Sequence, residues 1–137
     1  MSQPYTMRLR IYWEDTDAGG VVFYANYLKF FERARTEWLR SLGFAQERMR
    51  QENAALFVVA ETSVRYLQPA RLDDLLDVDV QLIEAGRASL LLQQHARRDG
   101  CTLAEGRIRI GCVDAGTFRP RRIPSPILER IAAPQHT

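Results

Sequence analysis

Cysteine is scarce in this 137-residue chain, with Cys101 and Cys112 the only two. Both fall in one stretch of strand character. If that strand is continuous, the thiols lie roughly 35 Å apart at ~3.3 Å per residue, far beyond disulfide reach. Two reduced thiols behind an N-terminus with no apolar targeting core read as cytoplasmic. Histidine is as rare: His95 lies in a strand-like run and reads as a strand-surface residue, and His136 sits one residue from the end. Without a Cys-x-x-Cys or a histidine cluster, no metal site is expected. There is no run of ~18 apolar residues, so no membrane insertion is expected either. Nineteen basic and seventeen acidic residues leave a net charge of only +2, which speaks against a nucleic-acid partner. Lysine is nearly missing too. Lys29 stands alone among arginines, whose planar fork suits phosphate oxygens better.

Several catalytic signatures are missing as well. No Gly-x-Ser-x-Gly surrounds any of the five serines, and neither a P-loop nor a Gly-x-Gly-x-x-Gly run occurs. With so few histidines, a Ser-His or Cys-His mechanism has little to build on.

The elements present are well marked. A first strand is expected over residues 7–13, ending in the turn-rich run Asp15-Thr16-Asp17-Ala18-Gly19-Gly20. The strongest helix follows over residues 22–42. Its apolar residues Tyr27, Phe30, Ala34, Trp38 and Leu42 step by three or four, and Leu28, Phe31 and Leu39 widen that face. Arg33 and Glu37 are spaced to pair on the polar side, and Gly43 suits a left-handed cap. A short polar helix is expected over 46–53. The period then changes to two. Val58, Ala60, Thr62, Val64 and Tyr66 share one parity, and Val78, Val80 and Leu82 alternate with polar residues. Asp99-Gly100 is a hairpin turn between a strand over 89–97 and one over 101–114. Residues 127–131 form an amphipathic turn in a proline-rich tail. A helix apolar over so wide a face needs a sheet wrapped around it, which predicts an α+β fold with an antiparallel five-stranded sheet around one central helix. The chain reads as one domain over 1–137, with its core at about 8–118 and a tail at about 119–137. An uncovered edge strand favours pairing with a second subunit.

Chemistry concentrates in the run from Tyr12 to Tyr27, where three acids and two glycines precede the most apolar helix. Free N–H groups at a helix start form a donor set for an oxyanion, and a carboxylate beside them can attack a carbonyl or activate water. Caps and turns use the same residue types, so spacing alone leaves both readings open.

The run Tyr12-Trp13-Glu14-Asp15-Thr16-Asp17-Ala18-Gly19-Gly20-Val21-Val22, with Asn26-Tyr27 and the stretch from Phe30 to Glu37, resembles the active-site signature of hotdog-fold acyl-CoA thioesterases of the 4-hydroxybenzoyl-CoA thioesterase type. More narrowly, it resembles their Tol–Pal-associated, YbgC-type branch. Pieces at 55–59, 69–74 and 112–114 extend the likeness over about residues 8–126. The resemblance implies a hotdog fold and hydrolysis of a short-chain or aromatic acyl-CoA thioester. It places Asp17 as nucleophile or general base, and Tyr24 as the residue whose backbone N–H polarises the carbonyl. Many YbgC-type members carry His at the Tyr24 position, so here only the backbone donor is carried over. Gly19, Gly20 and Val21 belong to the substrate-binding turn, and Arg87, Arg121 and Arg122 are the residues matched to the phosphates of coenzyme A. Glu14 and Asp15 are expected to shape the turn. No cofactor is implied beyond coenzyme A as part of the substrate. A homodimer or dimer of dimers is implied, with acyl carrier protein as a further partner. Two other readings are a hotdog hydratase or dehydratase, which pairs an acid with a histidine near the helix, and a non-enzymatic protein binding acyl carrier protein or envelope machinery.

Overall fold

The computed structural model describes residues 4–133, so His136 lies outside the described residues. Five strands form one antiparallel sheet: β1 (Tyr5–Arg10), β2 (Ala55–Tyr66), β3 (Leu75–Ala85), β4 (Ser89–Arg98) and β5 (Cys101–Asp114), in the spatial order β1-β3-β4-β5-β2. The helices are α1 (Asn26–Ser41), α2 (Gln46–Asn53) and α3 (Ser125–Ala132). This is the hotdog arrangement, with α1 wrapped by the sheet. No helix of the described residues is long and apolar enough to cross a membrane.

α1 lies against the sheet because its apolar face has nowhere else to go. Tyr27, Phe30, Phe31, Ala34, Trp38 and Leu39 are buried, facing Val78, Val80, Leu90, Leu92, Ile108 and Ile110. The helix stops at Gly43, whose φ of +97° favours glycine, and the N–H of Phe44 bonds the carbonyl of Leu39 at 2.9 Å. Leu28, expected in the apolar face, is exposed. Glu37 pairs with Arg40 rather than with Arg33.

α1 begins four residues later than the periodicity suggests. Val21 and Val22 are drawn into strand-like pairing instead: Val22 donates to Ala70 at 2.8 Å, Thr16 bridges Val22, and Val21 bridges Arg71. β-branched side chains fit that extended geometry better than a helical turn. β1 likewise ends early, at Arg10, and Trp13–Asp15 forms a 3-10 turn. Asp15 stops the strand: its carboxylate accepts the N–H of Tyr12 at 2.8 Å and closes the turn, as its expected shaping role requires.

The shared parity predicted from Val58 to Tyr66 is broken by a β-bulge between Val59 and Glu61. Val59 faces α1 with its partner Ile110. Beyond the bulge Thr62, Val64 and Tyr66 take that face, opposite Ile108, Gly106 and Ala104. Asp99 and Gly100, both at positive φ, make the expected hairpin turn. The expected turn at 127–131 is a full helix, α3, which buries Ile127 and Ile131.

A buried polar chain fastens α1 to the sheet. Gln94, fully buried on the helix side of β4, donates to the carbonyls of Phe31 at 3.0 Å and Asp79 at 3.2 Å. It accepts from Arg35 Nη1 at 3.0 Å. Burial pushes the Arg35 guanidinium down, with Glu32 opposing that shift. Gln94→Leu should therefore cost about 1–3 kcal/mol in urea unfolding, because Arg35 is left without its acceptor. The double variant Arg35→Met/Gln94→Leu should recover much of that loss.

His95 is not the surface residue expected. Its side chain is 14% exposed, and Nδ1 faces the carboxylate of Asp79 at 3.0 and 3.2 Å. The His95 backbone N–H (2.7 Å) and Arg97 Nη1 (2.5 Å) complete the shell around that carboxylate. Side chains alternate along a strand, so His95 lies on the opposite face of the sheet from Gln94 and α1.

Candidate active site

The site grows from the tight turn between β1 and α1. Asp17 donates its N–H to Val21 O at 2.9 Å, and Gly20 donates to Asp17 O at 3.0 Å. The Oδ1 of Asp17 accepts the N–H of Gly19 at 2.8 Å, and no donor among the described residues takes up Oδ2. Gly20 is required here by its positive φ, and Gly19 leaves the acid room. A Cβ on Gly19 would stand 3.2 Å from Asp17 Oδ1, and Gly20 sits at φ +80°. The carboxylate is thus aimed by its own turn and remains exposed to solvent.

The donor side is built by the turn that winds into α1. Asn26 bonds Phe23 O at 2.9 Å, Tyr27 bonds Tyr24 O at 3.4 Å and Leu28 bonds Ala25 O at 3.2 Å. These i to i+3 bonds leave the N–H groups of Tyr24 and Ala25 without an acceptor among the described residues. Tyr24 stands two residues before α1 rather than inside it, yet its N–H lies at the positive end of that helix. The turn is fixed to the Asp17 loop twice: Asn26 Nδ2 donates to Asp15 O at 2.8 Å, and Phe23 donates to the same oxygen at 3.1 Å.

Two cavities flank this segment. One, of about 330 Å³, is lined by Asp17 with Trp13, Thr16, Ala18, Gly20 and Leu72. The other, of about 250 Å³, is lined by Tyr24 with Val22, Tyr27, Tyr66, Gln68 and Pro69 among others. The paired stretches Thr16–Val22 and Ala70–Arg71 thus carry the acid toward one chamber and the donor toward the other. Trp13, Tyr27, Leu72 and Tyr66 were not among the expected site residues. Trp13, 80% exposed on a pinned turn, had a signal in its motif position. Tyr66 had none, because the bulge sets its direction.

The three arginines part company. Arg87 and Arg122 are exposed, and the bond from Ile123 N–H to Arg87 O (2.8 Å) sets the β3–β4 turn beside the tail. Arg121 has other work: its Nη1 donates to the carbonyls of Asn53 at 2.9 Å and Ala54 at 3.4 Å, capping the C-terminal end of α2. None of the three lines either chamber.

A carboxylate on a glycine turn and unsatisfied amides at a helix head, on two segments tied together through Asp15 O, are the kinds of group a carbonyl-attacking site uses. Comparison with known proteins gives the family. The profile of the thioesterase-like superfamily matches residues 11–131. The acyl-CoA thioesterase YbgC of Haemophilus influenzae is 42% identical over 123 residues, 90% of each chain. The acyl-CoA thioester hydrolase YbgC of Escherichia coli O157:H7 is 41% identical over 88% of this chain and 90% of its own. Among solved structures, a probable thioesterase from Bartonella henselae superposes with a TM-score of 0.85 at 30% identity, covering 89% of this chain and all of that one. By sequence and by fold, the chain belongs to the thioesterase-like superfamily and stands with its YbgC-type members.

Proposed function

We propose that the protein is an acyl-CoA thioesterase, hydrolysing the thioester to a free acid and coenzyme A. The observation that carries this reading is the double tie through Asp15 O between the Asp17 loop, whose acid is held by the N–H of Gly19, and the turn that bears the unsatisfied N–H of Tyr24 at the head of α1. A thioester carbonyl is weakly stabilised by resonance and thiolate leaves readily, so one carboxylate and oriented donors suffice. Asp17 attacks the carbonyl carbon, or takes a proton from an attacking water. The Tyr24 N–H receives the negative charge that develops on oxygen, and the thiolate departs; on the first route this leaves a mixed anhydride at Asp17, which water then cleaves to release the acid and restore the carboxylate. Gly19, Gly20 and Val21 let the ester approach the backbone, and Arg87 and Arg122 meet the phosphates of coenzyme A.

The site is completed by a second copy. β2 is an edge strand with Val58 and Val59 exposed, which supports a homodimer or a dimer of dimers. We place the protein in the cytoplasm, in keeping with its two free thiols. The hydratase reading has less to stand on, since His95 is engaged with Asp79 across the sheet from α1.

The test is thiol release from a panel of acyl-CoA esters, followed by a single turnover in ¹⁸O water. We expect release of free CoA. Label in Asp17 identifies the nucleophilic route, and label only in the product acid identifies attack of water on the acyl carbon. A folded protein that releases no thiol from any ester would overturn the assignment. The same assay on acyl-carrier-protein thioesters distinguishes the two carriers.

A further inference from the structure

The stretch that bears Asp17 rests on one short loop at both of its ends. At the first, Ile11 donates to Asp74 O at 2.9 Å and accepts the N–H of Asp73 at 3.0 Å. At the second, Val22 donates to Ala70 O at 2.8 Å, and Val21 bridges Arg71. Ile11, Val22 and Ala70 are buried, so these bonds lie away from water. The residues from Tyr12 to Gly20 therefore span between two points on the loop 70–74. Leu72 of the same loop lines the chamber beside Asp17. A shift of this loop moves both feet of the acid-bearing turn and one of its walls.

The loop is sharply bent. Asp73 sits at φ +71°, a left-handed conformation uncommon for a residue other than glycine, and Arg10 Nη1 donates to its carbonyl at 2.8 Å. The carboxylate of Asp74 closes the bend. Its Oδ2 accepts the N–H of Arg71 at 2.9 Å, and the Asp74 N–H returns to Arg71 O at 3.1 Å. The same Oδ2 accepts Arg98 Nη1 at 2.6 Å, which ties the loop to the last residue of β4. Partial burial pushes the Asp74 carboxyl up, but the Arg71 N–H and the Arg98 guanidinium outweigh it and hold the group below the usual carboxylate range. A carboxylate bonded to a guanidinium makes the stronger kind of hydrogen bond, which suits it to fix a short loop.

We infer that Asp74, anchored by Arg98, is a positioning residue of the site: it fixes the loop that sets where Asp17 stands relative to the head of α1. Asp74 acts through the backbone at Ile11 and Val22, and not by contact with the ester. The inference rests on the thioesterase reading and adds the residue that aims its acid.

The experiment uses Asp74→Asn and Arg98→Met in the full-length protein, each alone and each combined with Asp17→Asn. The Asn amide still offers an oxygen to the N–H of Arg71. The two side chains are 22% and 31% exposed, so neither substitution opens the core. On the acyl-CoA ester that the wild type cleaves fastest, each variant alone should lower kcat roughly tenfold, with KM changing by less than about threefold. In the Asp17→Asn background the same substitutions should change kcat by less than about twofold, because no attacking acid is left to misplace. Hydrogen exchange supplies a readout besides activity. The amides of Ile11 and Val22 should exchange about tenfold faster in each variant, while those in the middle of α1 keep their wild-type protection. An unchanged kcat overturns the inference. So does an equal loss in both backgrounds, which marks a loss of folded protein, and so does unaltered exchange at Ile11 and Val22. A wild type inactive on every ester of the panel overturns the thioesterase reading instead, and the exchange rates then still decide whether Asp74 anchors the loop.

Discussion

Asp17→Asn is expected to slow CoA release by roughly two to four orders of magnitude while leaving the fold intact. The amide has nearly the shape of the carboxylate, and its oxygen still accepts the N–H of Gly19, now at 2.8 Å, so the turn from Asp17 to Val21 keeps its bonds. What it loses is the lone pair that attacks carbon or takes a proton from water. The donors at Tyr24 and Ala25 are untouched, so a residual rate above the uncatalysed one should remain. Binding should change far less than turnover, giving a fall in kcat with KM nearly constant. The comparison needs a thermal melt or far-UV spectrum beside the thiol assay. Near-normal hydrolysis by a well-folded Asn variant would remove Asp17 from the chemistry.

Phe31→Ala should produce the largest loss of stability, about 3–5 kcal/mol in urea unfolding. Phe31 is fully buried midway along α1 and faces Gly106 of β5 so closely that a Cβ on Gly106 would stand 3.1 Å from the ring. Gly106 has no side chain to move into the vacated space, and the sheet backbone around it is held by the ladders to β4 and β2. The cavity therefore stays open, and the cost lies at the upper end for such truncations. A domain of this size has a total stability of roughly 5–15 kcal/mol, so the variant should be partly unfolded near body temperature. The opposite change, Gly106→Ala, acts on the same contact and should cost less, since the ring has only a few tenths of an ångström to yield.

The two variants probe different layers of one design. The proposed donor role of its head requires α1 to be rigid, and Phe31 together with the Gln94 chain holds it against the sheet. A partly loosened α1 should therefore lose turnover before it unfolds, because misplacement by about an ångström is already costly to a preorganised site.

Much of this was legible in the residues alone. The step of three and four from Tyr27 to Leu42, the cap at Gly43, the hairpin at Asp99-Gly100 and the wrapped sheet all follow from periodicity and turn chemistry, which are local properties. The glycine turn after Asp17 was equally plain, because the φ of +80° at Gly20 is a backbone demand that sequence records directly. The errors arose where a distant partner intervened. Val22 left the helix because Ala70, 48 positions later, offers a carbonyl at 2.8 Å. His95 went under cover because Asp79, on the neighbouring strand, offers a carboxylate.

The sequence by itself therefore determined the elements, the enclosing sheet and the acid on its glycine turn, since each depends on residues within a few positions of one another. The tertiary structure alone decided which amides at the head of α1 stay without an acceptor among the described residues and which arginines stay exposed. Those depend on long-range hydrogen bonds and on a single bulge. The bulge in β2 turns Tyr66 from the outer face of the sheet to the helix side, and no local pattern encodes that turn.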